Sequence, residues 1–237
     1  MTLLFYTMLT AHGHETLSEN LGGTMRIAIL ISGRGSNMAA LSNKEEGFEI
    51  CLVASDRPAE GLEVAATAGH KTVLVDRDIY QSKEEHEATL VEQLTRQKPD
   101  LIVLAGYMSV LSPTFIKTFD ACIINIHPSL LPDYKGLNTH ARVLADKRSE
   151  HGVSVHMVTA AIDDGPLIAQ AKLAIRADDT EQTLSDRVLK CEHQLYPAVI
   201  SAIGEGALNI HTQTVIWDDT SRLGAVSAGT ITFPKLN

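Results

Sequence analysis

Three stretches of the chain carry groups whose types and spacing could do chemistry. In Asn125-Ile126-His127-Pro128-Ser129-Leu130-Leu131-Pro132 an amide and an imidazole stand two residues apart at the end of an apolar run. In a strand, that spacing puts Asn125 and His127 on one face and Ile124 and Ile126 on the other. Pro128 stops the strand, so both polar groups sit at its carboxyl end, where open α/β sheets bind ligands. No nucleophile accompanies them: Ser129 lacks the Gly-x-Ser-x-Gly elbow and is expected to hydrogen-bond the backbone instead. A histidine at a strand end can be structural, and Asn125 beside it weighs towards chemistry. Gly33-Arg34-Gly35-Ser36-Asn37 follows an apolar run and opens a helix, so backbone N–H groups converge there as in a phosphate cradle. A dinucleotide fingerprint is disfavoured because Met38 occupies its third small position; a glycine turn without a ligand is the other alternative. Asp163-Asp164-Gly165 supplies carboxylates in a turn. One of them near His127 would favour the imidazolium, although most Asp-Gly turns are merely solvated.

These stretches need a scaffold, and the apolar periodicity describes one. Arg26–Ser32, Phe48–Ser55, Lys71–Val75, Leu101–Ala105 and Ala121–Ile126 read as strands buried on both faces. Segments such as Lys83–Gln97, with helical spacing at Leu90, Val91 and Leu94, separate them, so the units are βαβ crossovers. His151–Val158 and Pro166–Ile175 instead read as a hairpin-like return through the Asp163-Asp164-Gly165 turn. The expected fold is therefore α/β and Rossmann-like: a mostly parallel sheet, helices on both faces, and antiparallel strands towards the C-terminal end. Asp178-x-x-Glu181 reads as the capping pair of a last helix with a core stripe of Leu184, Val188, Cys191, Leu195 and Val199, which Pro197 should kink or locally end. Residues 1–24 are expected to be a disordered extension, and 25–237 one domain with a loose tail from Gly224.

Composition narrows the functional classes. Twenty Lys and Arg against 29 Asp and Glu give a net charge of −9 over 237 residues, which argues against a nucleic-acid partner. With 44% hydrophobic and 21% charged residues the chain is globular, and no apolar stretch reaches the ~18 residues of a membrane span. Three cysteines without a Cys-x-x-Cys pair indicate neither a disulfide framework nor a zinc site, and no metal is expected. No Lys or Arg precedes Arg26, unlike a secretory leader, so the expected compartment is the cytoplasm.

Taken together, Ile-Ser-Gly-Arg-Gly-Ser-Asn (31–37), Pro-Asp-Leu-Ile-Val-Leu-Ala-Gly-Tyr-Met (99–108), Asn-Ile-His-Pro-Ser-Leu-Leu-Pro (125–132) and His-Gly-Val-Ser-Val-His-Met-Val (151–158) resemble the phosphoribosylglycinamide formyltransferases from about Met25 to Leu223. The resemblance implies formyl transfer from 10-formyltetrahydrofolate to the amine of glycinamide ribonucleotide in purine synthesis, on small-molecule substrates, by a monomer or homodimer. It assigns Asn125, His127 and Asp163 as catalytic. It gives Gly35, Ser36 and Asn37 to the phosphate side of the nucleotide and Glu192 to the ribose hydroxyls. Met108, Ser109, Val110 and Leu111, with Asn125 and with Thr159, Ala160, Ala161, Ile162 and Asp163, would line the folate pocket, and Lys83 would contact the folate. Lys83 and Ser109 stand where relatives carry arginine, and Asp164 where the family usually has glycine.

The implied reaction suits the residues. Amine attack on a formamide-like carbonyl creates a tetrahedral oxyanion, which Asn125 and cationic His127 could stabilise as donors. Formyltetrahydrofolate deformylases share the Asn-x-His core with an added amino-terminal domain, and methionyl-tRNA formyltransferases share it with a basic carboxyl-terminal one. With 24 residues before Met25 and an acidic chain, both are less expected. A non-catalytic folate- or nucleotide-binding module is the third alternative.

Loop-like His12-Gly13-His14 and Leu21-Gly22-Gly23 precede the first strand, and no periodicity follows Thr10. A chain starting at Met25 is thus expected to keep the parent's thermal midpoint and turnover; a large drop in either would show that the extension packs on the domain.

Overall fold

In the computed structural model, which describes residues 24–119, 122–211, 214–217 and 230–232, the apolar run after Thr24 forms the strand β1 (Met25–Ile31). Its alternate side chains serve two separate cores. Ile27, Ile29 and Ile31 are buried on one face of the sheet, and Ala28 and Leu30 on the other. Only a strand covered on both sides needs such a continuous apolar run. The chain continues through α1 (Ser36–Ser42), β2 (Phe48–Ser55), α2 (Glu60–Thr67), β3 (Thr72–Leu74), α3 (Lys83–Gln97), β4 (Leu101–Leu104), α4 (Pro113–Thr118) and β5 (Ile123–His127). It then forms α5 (Thr139–Ala145), β6 (Glu150–Met157), β7 (Leu167–Ala174), α6 (Glu181–Gly204), a hairpin of β8 (Leu208–His211) and β9 (Thr214–Trp217), and β10 (Thr230–Thr232).

The main sheet runs β10-β7-β6-β5-β4-β1-β2-β3. Strands β1 to β5 are mutually parallel, whereas β6, β7 and β10 pair antiparallel. Leu41 of α1, Ala65 of α2, Val143 of α5 and the long face of α6 cover one side. Leu90 and Leu94 of α3 and Phe115 of α4 cover the other. The mostly parallel sheet, its helices on both faces and its antiparallel C-terminal side all match the expected fold. No helix among the described residues is long and apolar enough to cross a membrane.

Three local expectations change. The N-cap of α6 is Thr180, whose hydroxyl accepts from Thr183 N–H while the Thr183 hydroxyl accepts from Thr180 N–H. The capping box therefore sits two residues after Asp178, and the neighbouring Asp179 is occupied with Arg176, Thr183 and Arg187. Pro197 does not end α6, which runs on to Gly204 with Tyr196, Val199 and Ile200 fully buried. Burial of that face outweighs the one intrahelical bond a proline forfeits. The tail expected to be loose includes β10, paired with β7; residues 224–229 and 233–237 lie outside the described residues, as do 1–23 of the expected extension and Ala121 of the fifth expected strand.

Tyr196 ties α6 to the strands that form the site: its hydroxyl donates towards Leu104 O (2.9 Å) and Ile124 O (3.2 Å), at the adjacent edges of β4 and β5. Tyr196→Phe leaves those carbonyls without this donor in a dry interior and is expected to cost about 1 kcal/mol in urea unfolding; an unchanged midpoint would show that the hydroxyl contributes nothing.

Candidate active site

Asn125 and His127 reach the carboxyl end of β5 because Ile123, Ile124 and Ile126 anchor that strand in the sheet. The neighbouring β6 runs antiparallel and sets Asn125 opposite His156 and His127 opposite Ser154. The sheet changes direction at this pair of strands, so the chain leaves β6 at Met157, opposite Ile124, and must turn back to reach the carboxyl end of β5. The return brings Asp163 back over His127. Asp163 holds a positive φ of 50°, and any Cβ at the following Gly165 would collide with Met157 O, so the turn can close only with glycine there.

The resulting cluster is tightly wired. His127 Nε2 lies 3.0 Å from Tyr134 O, and its Nδ1 lies 3.4 Å from Asp163 Oδ2. Both ring nitrogens therefore face acceptors, an arrangement that suits a doubly protonated ring. The second distance is long for a hydrogen bond, so Nδ1–H is the donor that the protein leaves freest for a ligand. Asp163 also accepts from Gly136 N–H at 2.8 Å, and its Oδ1 lies 3.6 Å from His156 Nε2. His156 Nδ1 lies 2.8 Å from Met157 O, which fixes a proton there, so Nε2, 3.2 Å from Asn125 Nδ2, accepts from the amide in the neutral ring and donates to the Asp163 carboxylate in the cation. One amide hydrogen of Asn125 remains for a ligand. Ser129 behaves as expected, donating to Asp133 O at 2.7 Å.

Burial pushes the His127 pKa below the ordinary histidine value, and the Tyr134 carbonyl and the Asp163 carboxylate oppose that push. The expectation that Asp163 raises the ring's pKa thus holds for its own contribution but not for the net shift, because desolvation of a buried ring is larger. Burial also works to raise the Asp163 pKa, but His156, Gly136 N–H and His127 outweigh it and hold the carboxyl below its ordinary range.

These groups line one cavity of ≈ 670 Å³. Asn37 and Glu192 line it as well, joined by an Asn37 Nδ2 to Glu192 hydrogen bond of 2.6 Å. Burial pushes the Glu192 pKa up to about 7, and Asn37 Oδ1 is buried with no hydrogen-bond partner among the described residues. Met108, Ser109, Val110 and Leu111 form one wall, and Thr159, Ala160, Ala161 and Ile162 another. Met108, Val110, Ile162 and Leu137 are exposed apolar side chains on these walls, a surface suited to a flat, largely apolar ligand. Gly35 and Ser36 do not line the cavity; Gly35, at φ 75°, passes so close to Gly61 that a Cβ would stand 2.9 Å from its Cα. Lys83 lies outside too, in an adjoining cleft of ≈ 460 Å³ shared with Arg77 and Tyr107, and 3.6 Å from Glu87. Asp164 is not simply solvated, since its carboxylate pairs with Lys135. Sequence reasoning missed His156 and Tyr134. Period-2 counting back along β6 could have found the first, whereas Tyr134 contributes only a backbone oxygen. Among the described residues no cluster of His, Cys, Asp or Glu is arranged to hold a metal ion.

Comparison with known proteins places this site in context. The family model described as formyl transferase matches residues 25–212. The chain is 41% identical over 204 residues to phosphoribosylglycinamide formyltransferase of Escherichia coli (strain K12), covering 84% of this chain and 96% of that one. The solved phosphoribosylglycinamide formyltransferase of Coxiella burnetii superposes with a TM-score of 0.79 at 44% identity, over 83% of this chain and 94% of that one. Glycinamide ribonucleotide transformylase 1 of Symbiobacterium toebii gives a TM-score of 0.79 at 38% identity, over 85% and 99%.

Asp163→Asn removes the carboxylate's upward pull on the ring, so the His127 pKa is expected to fall further below its ordinary value. NMR titration of the His127 ring should show the proton leaving at lower pH than in the parent, and an unchanged titration would detach Asp163 from His127.

Proposed function

This chain belongs to the formyl transferase family and is a formyltransferase, and from that premise we propose that it carries the formyl group of 10-formyltetrahydrofolate to the amine of 5-phosphoribosylglycinamide, in purine biosynthesis. The observation that carries the reading is that Asn125, His127 and Asp163 share one cavity with Asn37 and Glu192 and with the exposed apolar walls. A bisubstrate reaction needs that composition: a polar end for a ribose, an apolar slot for a pterin, and donors at the junction. The unpartnered Asn37 Oδ1 and the Glu192 carboxyl are acceptors that suit the two hydroxyls of a ribose.

The amine attacks the formyl carbon, and the carbonyl oxygen takes up negative charge. Asn125 Nδ2–H and His127 Nδ1–H are the donors for that oxygen, held by His156 on one side and by Tyr134 O on the other. A depressed pKa makes the protonated His127 a stronger acid, and Asp163 limits the depression so that the cation remains accessible. One proton must leave the attacking amine and one must reach the departing folate nitrogen. The His127–Asp163 pair is the acid–base couple at hand for that relay. No covalent bond to the protein forms at any stage. The expected compartment is the cytoplasm.

Two measurements test the reading. The purified chain with 10-formyltetrahydrofolate should form the formylated amide only when glycinamide ribonucleotide is added; formate release without the amine would identify a hydrolase instead. His127→Ala and Asn125→Ala should each lower turnover by at least ~2.7 kcal/mol, about a hundredfold, without unfolding the chain. Near-parent turnover in either would remove that residue from the oxyanion site.

A further inference from the structure

The loop between β5 and α5, residues 128–138, has two differently held halves. The first is pinned to the sheet: Ser154 donates to Ser129 O and accepts from Leu131 N–H, and Gln170 donates to Leu131 O. The second half, Tyr134 to Asn138, carries positive φ at Tyr134 (57°), Gly136 (76°) and Asn138 (56°). Left-handed backbone at two non-glycine residues is costly, so contacts must hold this half in place. Arg142 on α5 supports it from below, donating to Lys135 O and Leu137 O and stacking on the Tyr134 ring. From above it is held by the Asp163 turn, through two adjacent bridges: Gly136 N–H to Asp163 Oδ2, and Lys135 Nζ to Asp164 Oδ1.

We infer that Lys135 and Asp164 are positioning residues, a clasp that locks the 134–138 loop onto the Asp163 turn and thereby holds Tyr134 O against His127. Neither side chain lines the cavity, so neither touches a substrate there. Their neighbours do. Lys135 stands between Tyr134, whose carbonyl faces His127 Nε2, and Gly136, whose N–H faces Asp163; Asp164 directly follows Asp163. Leu137 and Ile162, one on each clasped segment, face the same cavity. With the clasp open, the two acceptors that flank the His127 ring are free to drift apart. The pair is also self-neutralising, so Asp164 adds no net charge beside Asp163. This inference rests on the proposed reaction for its kinetic arm but not for its structural one.

A double-variant cycle on the full-length chain tests it with two readouts: exchange of the Gly136 amide followed by NMR, and kcat with both substrates saturating. Lys135→Met and Asp164→Asn should each speed Gly136 exchange and lower kcat by about two- to fivefold, the scale of one exposed ion pair. The double variant should be no worse than either single one, and the swapped pair Lys135→Asp with Asp164→Lys should return both readouts towards the parent. Conservative Lys135→Arg should rescue likewise, with the thermal midpoint little changed throughout. Independent effects that multiply in the double variant, or a Gly136 amide indifferent to every change, would overturn the clasp. A parent without formyl transfer would overturn the proposed reaction alone, and Gly136 exchange would still decide the clasp.

Discussion

Everything at the proposed catalytic end of this molecule depends on keeping an ionisable ring inside protein without leaving its nitrogens unanswered. His127 is 6% exposed, and a buried imidazole resists carrying charge. The Tyr134 carbonyl and the Asp163 carboxylate meet that cost from opposite sides of the ring. They come from different parts of the chain, one from the loop after β5 and one from the turn after β6, so both connections must have their observed shapes for the ring to be usable. That requirement accounts for features with no other evident purpose: the Ser154 and Gln170 ties on the first half of the loop, the positive φ at Asp163, and the absence of a side chain at Gly165.

The sheet supplies the meeting place. Parallel strands deliver their carboxyl ends to one edge, and the reversal at β6 sets the carboxyl end of β5 beside the middle of β6, at Ser154, there. Asn125 thereby gains His156 as a cross-strand neighbour, which orients its amide. On the opposite side of the cavity α6 contributes Glu192, and one turn later Tyr196 reaches the carbonyls of β4 and β5. The polar wall and the strand that bears Asn125 are thus parts of one rigid unit.

The strands were legible in the sequence because their two-sided burial needs uninterrupted apolar runs, and Asn125 and His127 stood out by interrupting one. Asp163 was named by resemblance alone, since an Asp-Asp-Gly turn looks the same whether solvated or folded over a histidine. Glu192 likewise sits on a helix whose apolar stripe says nothing about a buried carboxyl. What stayed hidden were interactions between segments distant in sequence. The Tyr134 carbonyl has no side-chain signature, and the Lys135–Asp164 pair spans two loops whose approach only the folded chain defines. The cap of α6 sits two residues beyond the expected one for a local reason: Asp178, Asp179 and Thr180 are all competent caps, and Arg176 N–H and the Arg187 guanidinium claim Asp179.

The Glu192 pKa of about 7 has a consequence for ligand binding. Near neutrality the empty protein is a mixture of molecules with and without a proton on this carboxyl. A ligand whose hydroxyls donate to the carboxylate selects the ionised fraction, so association expels a fraction of a proton into the medium. The measured heat of association then includes the ionisation enthalpy of the buffer, and apparent affinity strengthens as pH rises through that range, independently of any step in which bonds are made or broken.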